Sequence, residues 1–508
     1  MIRRGVATAL SGPDQRRLIR TSVAMAQPDI ANTTPVDVGT RGHGRGQLRP
    51  VSDEIRRTLR LAFPLALTQV GQVAMFTVDL MLIGRLGDTY LAAAALAHTV
   101  LFTAFIFGMG VTSAVAPLTA QAVGAGDVTM TRRSLRVGLH ASVLIALPII
   151  ALQIYCEPLL LLFKQPAEVA ALAVMYLSTL AWSVLPAWIF MALRGYMSAL
   201  DVPNPGLWIM LAGVPLNAAL AYVLVFGAPG IPALGLIGAG IATTAVNILM
   251  CLAAIIVVMR HQTLSAAHPF ERLWRPDWAQ FAVLFAIGLP IAVTMTFEHG
   301  LFTAATLMAG ALGATALASH QIALQVATLV FMLPMGFGLA ASVRVGERVG
   351  ARDWVGARRA GLVALILGLG VTVTTTTLTV VFADALPGAF LGAKTADNAD
   401  TWNLGAILLI YAAAFFIVDG MQTILAGALR GYSDTKTPML FAALSFWGIG
   451  FPVCYLLTFY AGLGARGIWL GLLSGLASYA ALLLWRFLAK PLTSAAVSQS
   501  SSTVTAHV

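Results

Sequence analysis

The sequence predicts an all-α polytopic membrane protein, with twelve transmembrane helices in two six-helix lobes related by a pseudo-twofold axis. Three observations carry that prediction. Of 508 residues, 58% are hydrophobic and 10% charged, whereas soluble globules are about a quarter charged. The apolar runs each reach the roughly 20 residues that a helix needs to cross a bilayer. The second half also repeats the first: sliding residues 64–127 by 226 positions gives 21 identities in 64 without a gap.

The apolar spans fall at 58–83, 90–122, 134–156, 168–191, 206–228 and 235–259, then at 279–310, 316–346, 358–384, 402–429, 438–460 and 466–488. Pro117, Pro186, Pro290 and Pro334 lie inside spans, a placement that membrane helices tolerate better than soluble ones. The repeat runs through both sets. Pro64 falls on Pro290, Phe76-Thr77 on Phe302-Thr303, Met109-Gly110 on Met335-Gly336, and Val123-Gly124-Ala125 on Val349-Gly350-Ala351. Ala192-Leu193-Arg194-Gly195-Tyr196 recurs 236 positions later at Ala428-Leu429-Arg430-Gly431-Tyr432. The predicted organisation is a disordered cytoplasmic extension at 1–54, an N-terminal lobe at 55–260, a cytoplasmic linker at 261–277, a C-terminal lobe at 278–490 and a disordered cytoplasmic tail at 491–508.

Charge placement gives an orientation. Arg132, Arg133 and Arg136 follow span 2, and Arg260, Arg272 and Arg275 lie between spans 6 and 7. Arg344, Arg348, Arg352, Arg358 and Arg359 flank the loop after span 8. The opposite loops hold only Arg85, Lys164, Lys394 and Arg466. Basic loops stay in the cytoplasm, so both termini are expected inside. The net charge of +10 is then topogenic, and no nucleic-acid partner is expected. An even number of spans per repeat makes both copies enter the membrane in the same sense, with a cleft between them. Cys156, Cys251 and Cys454 have no paired spacing and read as packing residues.

Ionisable groups inside a membrane are costly, and each is a site hypothesis. Asp79 lies late in span 1, Glu298 midway through span 7 and Asp419 in the second half of span 10. In the repeat frame Glu298 falls on Gln72, Asp79 on Ala305 and Asp419 on Ser183. The frame is duplicated and the acids are not, which points to function rather than folding. The competing reading is a structural carboxylate bonded to nearby hydroxyls. A carboxylate in a low-dielectric cavity favours its protonated form or takes a cation. A proton, Na⁺ and an organic cation then compete for one negative charge, which is what antiport between two states requires. Phe415, one turn before Asp419, is placed for a cation–π contact. The expected substrate cavity therefore includes Glu298, Asp419, Phe415 and Gln72. His98, His140 and His320 lack metal-ligand spacing and read as polar packing. No phosphate-binding Gly-rich loop with Lys, no Ser/His/Asp order and no His-Glu-x-x-His occurs, so no enzyme is expected.

Val78-Asp79-Leu80-Met81-Leu82-Ile83-Gly84-Arg85-Leu86-Gly87, the 117–126 run, Ala318-Ser319-His320-Gln321-Ile322-Ala323 and both Ala-Leu-Arg-Gly-Tyr copies resemble the multidrug and toxic compound extrusion (MATE) transporters, NorM-type branch. The resemblance runs through residues 55–490. It implies two six-helix lobes and export of amphipathic, often cationic compounds in exchange for Na⁺ or H⁺, with no other cofactor. It places the coupling cation at Glu298 and Asp419, which would ligate Na⁺ if sodium is the ion, and a further proton or cation site at Asp79. A tyrosine of some relatives is replaced here by Phe415. The expected setting is a monomer in a bacterial inner membrane, with the lipid bilayer and small-molecule substrates as its partners. The alternatives are a flippase of lipid-linked glycan precursors, disfavoured by the near absence of basic residues within spans, and a non-transporting receptor, disfavoured by the repeat.

Overall fold

The computed structural model describes residues 51–490. Twelve helices among them are long and apolar enough to cross a membrane: α1 (Val51–Gly84), α2 (Asp88–Ala125), α3 (Val128–Ile154), α4 (Ala167–Ala199), α5 (Asn204–Phe226), α6 (Gly235–Arg260), α7 (Trp278–Ala311), α8 (Ala314–Gly350), α9 (Trp354–Val381), α10 (Ala399–Gly431), α11 (Lys436–Tyr460) and α12 (Ala465–Leu488). The protein is a multi-pass membrane protein. Several helices outrun the apolar spans, because hydropathy registers only the hydrocarbon layer while the backbone ladder continues to a cap. Most of the extension expected at 1–54, and all of the tail at 491–508, lie outside the described residues. The last four residues of that extension, from Val51, already belong to α1.

The repeat dictates how the helices begin and end. Asp127 and Asp353, equivalent in the two copies, cap α3 and α9 by accepting the Met130 and Gly356 amides, each at 2.8 Å. Such caps contribute about 1 kcal/mol each. Gly87 and Gly313 precede α2 and α8 with φ of 123° and 112°, a region open to glycine and strained for other residues. Thr68 and Thr294 bond back to the carbonyls of Pro64 and Pro290 at 2.7 and 2.8 Å, which satisfies each hydroxyl inside an apolar helix. Two stretches of α11, Ala443–Gly450 and Leu456–Tyr460, wind as π-helix. No periodicity in the sequence announces them.

The lobes meet along α1 against α8 and α2 against α7. The contact is pseudo-symmetric to the residue. Gly110 lies against the Ala292 backbone, and its equivalent Gly336 lies against the Ala66 backbone, with no room for a Cβ at either. Gly124 meets the Glu347 carbonyl as Gly350 meets the Gln121 carbonyl. Two of the glycine pairs shared by the copies are thus points where the lobes touch. Close backbone approach of this kind is how membrane helices associate without a hydrophobic driving force.

Polar ties add to these contacts at the basic end, where α1 and α7 begin. Glu54 accepts from Arg344 at 2.9 and 3.0 Å and from Arg348 at 3.0 Å, and Arg344 also pairs with Glu347. Asp277 caps α7 through the Gln280 amide at 3.2 Å and accepts from Arg133 and Arg136 of α3. The Arg133 hydrogen bond holds the Asp277 carboxyl below the usual carboxylate range. Gln121 donates to the Gly431 carbonyl at 2.8 Å and to Ser433 Oγ at 2.9 Å. Among the described residues, the cross-lobe hydrogen bond nearest the other end is Gln69 Nε2 to Met335 Sδ at 3.3 Å.

Candidate functional site

Two acids come together in the C-terminal lobe. Glu298 projects from α7 and Asp419 from α10, and one side chain joins them. Gln422, one turn beyond Asp419, donates its Nε2 to Glu298 Oε1 at 2.9 Å and to Asp419 Oδ1 at 3.0 Å. The same nitrogen lies 3.2 Å from Thr423 Oγ1. A carboxylate pair offers about eight lone-pair sites, and a single neutral amide serves both members here. With both acids ionised, the site is rich in charge and poor in donors.

The space beside the pair is a small cavity of about 40 Å³, lined by Thr294, Glu298, Met335, Gln422, Arg430 and Tyr479 among others. A smaller one of about 10 Å³ shares Thr294, Arg430 and Tyr479 with it and reaches Asp434 and Thr435. Asp434, beyond the end of α10, is held by Arg486 at 2.8 Å and Lys490 at 2.5 Å. Helical spacing assembles this lining. Ile291, Thr294 and Glu298 share one face of α7, and Gln422, Ala426 and Arg430 share one face of α10.

The N-terminal acid is built differently. Asp79 of α1 is buried and accepts from Asn217 Nδ2 of α5 at 2.6 Å and from Thr243 Oγ1 of α6 at 2.7 Å. It lines neither of these cavities. Close by, His98 packs edge-on to Phe76 and lies 3.3 Å from Tyr176 Oη.

Sequence reasoning named Glu298, Asp419 and Asp79, and the structure brings the first two together and keeps the third in the other lobe. It missed Gln422, Asn217 and Thr243. Gln422 was detectable as a polar residue at i+3 from Asp419 inside an apolar span; Asn217 and Thr243 depend on which helices pack against α1. Phe415 requires a correction. Its ring packs against Phe302 and Trp469 at centroid distances of 5.9 and 5.5 Å, inside the lobe core rather than in the cavity wall. At i−4 from Asp419 it faces the neighbouring α12 side, which periodicity alone does not reveal. Gln72 is half-buried on α1 and likewise does not line the cavity, and Asp419, also expected in its wall, meets it only through Gln422. His140 bonds the Leu273 carbonyl at 2.7 Å and His320 meets Thr306 at 3.3 Å, the packing roles expected of them.

Twelve helices in two repeat-related lobes, with carboxylates buried in each, define a membrane protein of the transporter class. The sequence matches the MatE family over residues 64–223 and 290–456. It is 50% identical over 437 residues to the probable multidrug resistance protein NorM of Bradyrhizobium diazoefficiens, covering 86% of this chain and 94% of that protein. It is 43% identical over 431 residues to the multidrug resistance protein NorM of Burkholderia vietnamiensis, covering 85% and 93%. The fold is similar to the crystal structure of the eukaryotic MATE transporter AtDTX14, with a TM-score of 0.79 at 20% identity over 87% of this chain and 97% of that one. A multidrug resistance MATE family transporter in an outward-facing conformation gives 0.77 at 18% identity, covering 87% and 99%. The chain belongs to the MatE family of transporters.

Proposed function

We propose that this protein is a secondary multidrug exporter of the bacterial inner membrane. It exchanges amphipathic, cationic organic compounds for H⁺ or Na⁺, with Glu298 and Asp419 as the coupling pair. The observation that carries this reading is the pair itself: two carboxylates within reach of one amide, beside a cavity, in an apolar lobe. Two adjacent charges in low dielectric repel, and a proton, a Na⁺ or an organic cation relieves that repulsion. Sodium prefers several hard oxygens. Rotation of the Gln422 amide would add its Oε1 to those of Glu298, Asp419 and Thr423. The names of the NorM relatives support the multidrug substrate class.

The basic end, where the lobes are tied, is then cytoplasmic. In this orientation a membrane potential adds about 2.3 kcal/mol per charge per 100 mV to inward cation movement. A cysteine placed at Lys394 reacts with an impermeant thiol reagent added outside, and one at Arg352 does not; the reverse labelling overturns the orientation. The function is tested by efflux of a fluorescent cation in inverted vesicles, driven by a proton gradient alone or a Na⁺ gradient alone. Transport under neither gradient overturns the antiport reading.

A further inference from the structure

Arg430 has no role so far, and its position is unusual. It sits in the last turn of α10, where its charge complements the helix dipole, and its copy Arg194 occupies the same place in the repeat. Arg430 does more than its copy, because it lines the cavity that Glu298 lines. Its Cα lies about 12 Å along the helix from that of Gln422. Helical side chains tilt back toward the N-terminus, which directs the long stem up the cavity toward the acids. Among the described residues Arg430 makes no ion pair. Beside it, the buried Tyr479 hydroxyl has no hydrogen-bond partner, so this part of the cavity holds donors and acceptors that another arrangement would satisfy.

We propose that Arg430 is a tethered internal cation that pairs with Glu298 when neither coupling ion nor substrate occupies the site. This rests on the reading of Glu298 and Asp419 as the coupling pair. In the arrangement seen here the guanidinium stands off and Gln422 serves Glu298. Emptied of its ligand, an ionised Glu298 beside Asp419 is a poorly compensated charge in an apolar lobe, and the guanidinium is the nearest cation able to reach it. Pairing joins α10 to α7. The latter is the helix whose Gly288 and Ala292 touch α2 across the lobe boundary and whose cap Asp277 is clasped by α3. Fixing α7 therefore fixes the lobes. An antiporter has to prevent its empty form from reorienting, since every empty crossing lets the ion run without substrate. Arg430 supplies that restraint, and a proton, Na⁺ or cationic substrate lifts it by taking the negative charge.

The test uses the full chain in proteoliposomes under an imposed gradient of the coupling ion, with dissipation measured with and without substrate. Wild type and Arg430→Lys should hold the gradient until substrate is added. Arg430→Gln should dissipate it without substrate about tenfold faster than wild type, while still moving substrate when the gradient is maintained. If size-exclusion shows that Arg430→Gln misfolds, Arg430→Met replaces it under the same criterion, its apolar stem filling much of the same space. A charge-removing variant as tight as wild type overturns the proposal. Glu298→Gln is run alongside. If it still exchanges, the coupling-site reading fails and the restraint fails with it. If it is inactive while Arg430→Gln is tight, the restraint alone is refuted.

Discussion

Asp79 and Glu298 stand on the first helix of their respective lobes, two turns apart in the repeat frame, and their surroundings differ in kind. Asp79 takes a strong hydrogen bond from each of two other helices, so its carboxylate also pins α1 to α5 and α6. Glu298 shares one amide with a second acid and faces a cavity. The first arrangement accommodates a negative charge through fixed neutral donors. The second leaves charge to be balanced from outside. One duplicated frame thus holds an acid with a donor on each oxygen and a pair that shares a single amide, and the proposed coupling role falls on the pair.

The comparison breaks first at the pair. Glu298→Gln and Asp419→Asn should each lower exchange by about 100-fold or more with near-normal membrane yield, because both keep size and hydrogen bonding and lose the charge. Efflux normalised to purified protein measures this; full transport by either variant would erase the distinction between lobes. Gln422→Leu comes next. Removing the shared donor should reduce exchange by roughly tenfold and raise the apparent affinity for protons, as a hydrogen bond to a charged group contributes about 1.5–3 kcal/mol, whereas a Na⁺ site loses the amide oxygen and weakens. Titration of the ion against transport rate reads the change.

Asp79→Asn should have a smaller effect, slowing efflux several-fold and shifting its pH profile without altering any Na⁺ dependence. A lone carboxylate can still take up a proton despite its two neutral donors, but it offers too few oxygens for a Na⁺ site. Loss of Na⁺ stimulation with proton-driven efflux intact would reverse the assignment of lobes. The smallest effect belongs to the clasp at the basic end. Asp277→Asn retains the helix cap and removes the charge that Arg133 and Arg136 hold. Because Asp277 titrates below its ordinary range in the folded protein, its stabilising contribution is full above the usual carboxylate pKa and is lost as pH falls through the lowered value. Thiol accessibility of a cysteine placed at the lobe boundary near Gln121 should rise modestly in the variant at neutral pH, and in wild type only under acid.

Much of this was legible in the sequence, for identifiable reasons. Hydropathy and repeat position fixed twelve helices because the bilayer imposes a length, and the buried acids stood out because lipid makes charge conspicuous. What escaped depended on helix rotation and neighbours. Gln422 gains its role only when α7 faces α10, and Asn217 and Thr243 gain theirs only when α5 and α6 flank α1. Phe415 looked suited to the cavity by its distance from Asp419, yet the packing of α12 turned it inward. The start of α1 at Val51 escaped because Ser52, Asp53 and Glu54 are polar, and it is Glu54 that Arg344 and Arg348 hold.

The paired glycine contacts have a consequence for the history of the chain. Gly110 on Ala292 and Gly336 on Ala66 are one contact made twice with the roles exchanged, as are Gly124 on Glu347 and Gly350 on Gln121. That reciprocity is the mark of an isologous twofold interface between identical subunits. A single six-helix ancestor carrying Ala, Gly and Gly at these positions would have presented a self-complementary face to a second copy inserted in the same sense. Fusion then freed each half to change alone, and the acids, present in one copy and absent from the other, are the divergence that a homodimer could not have sustained.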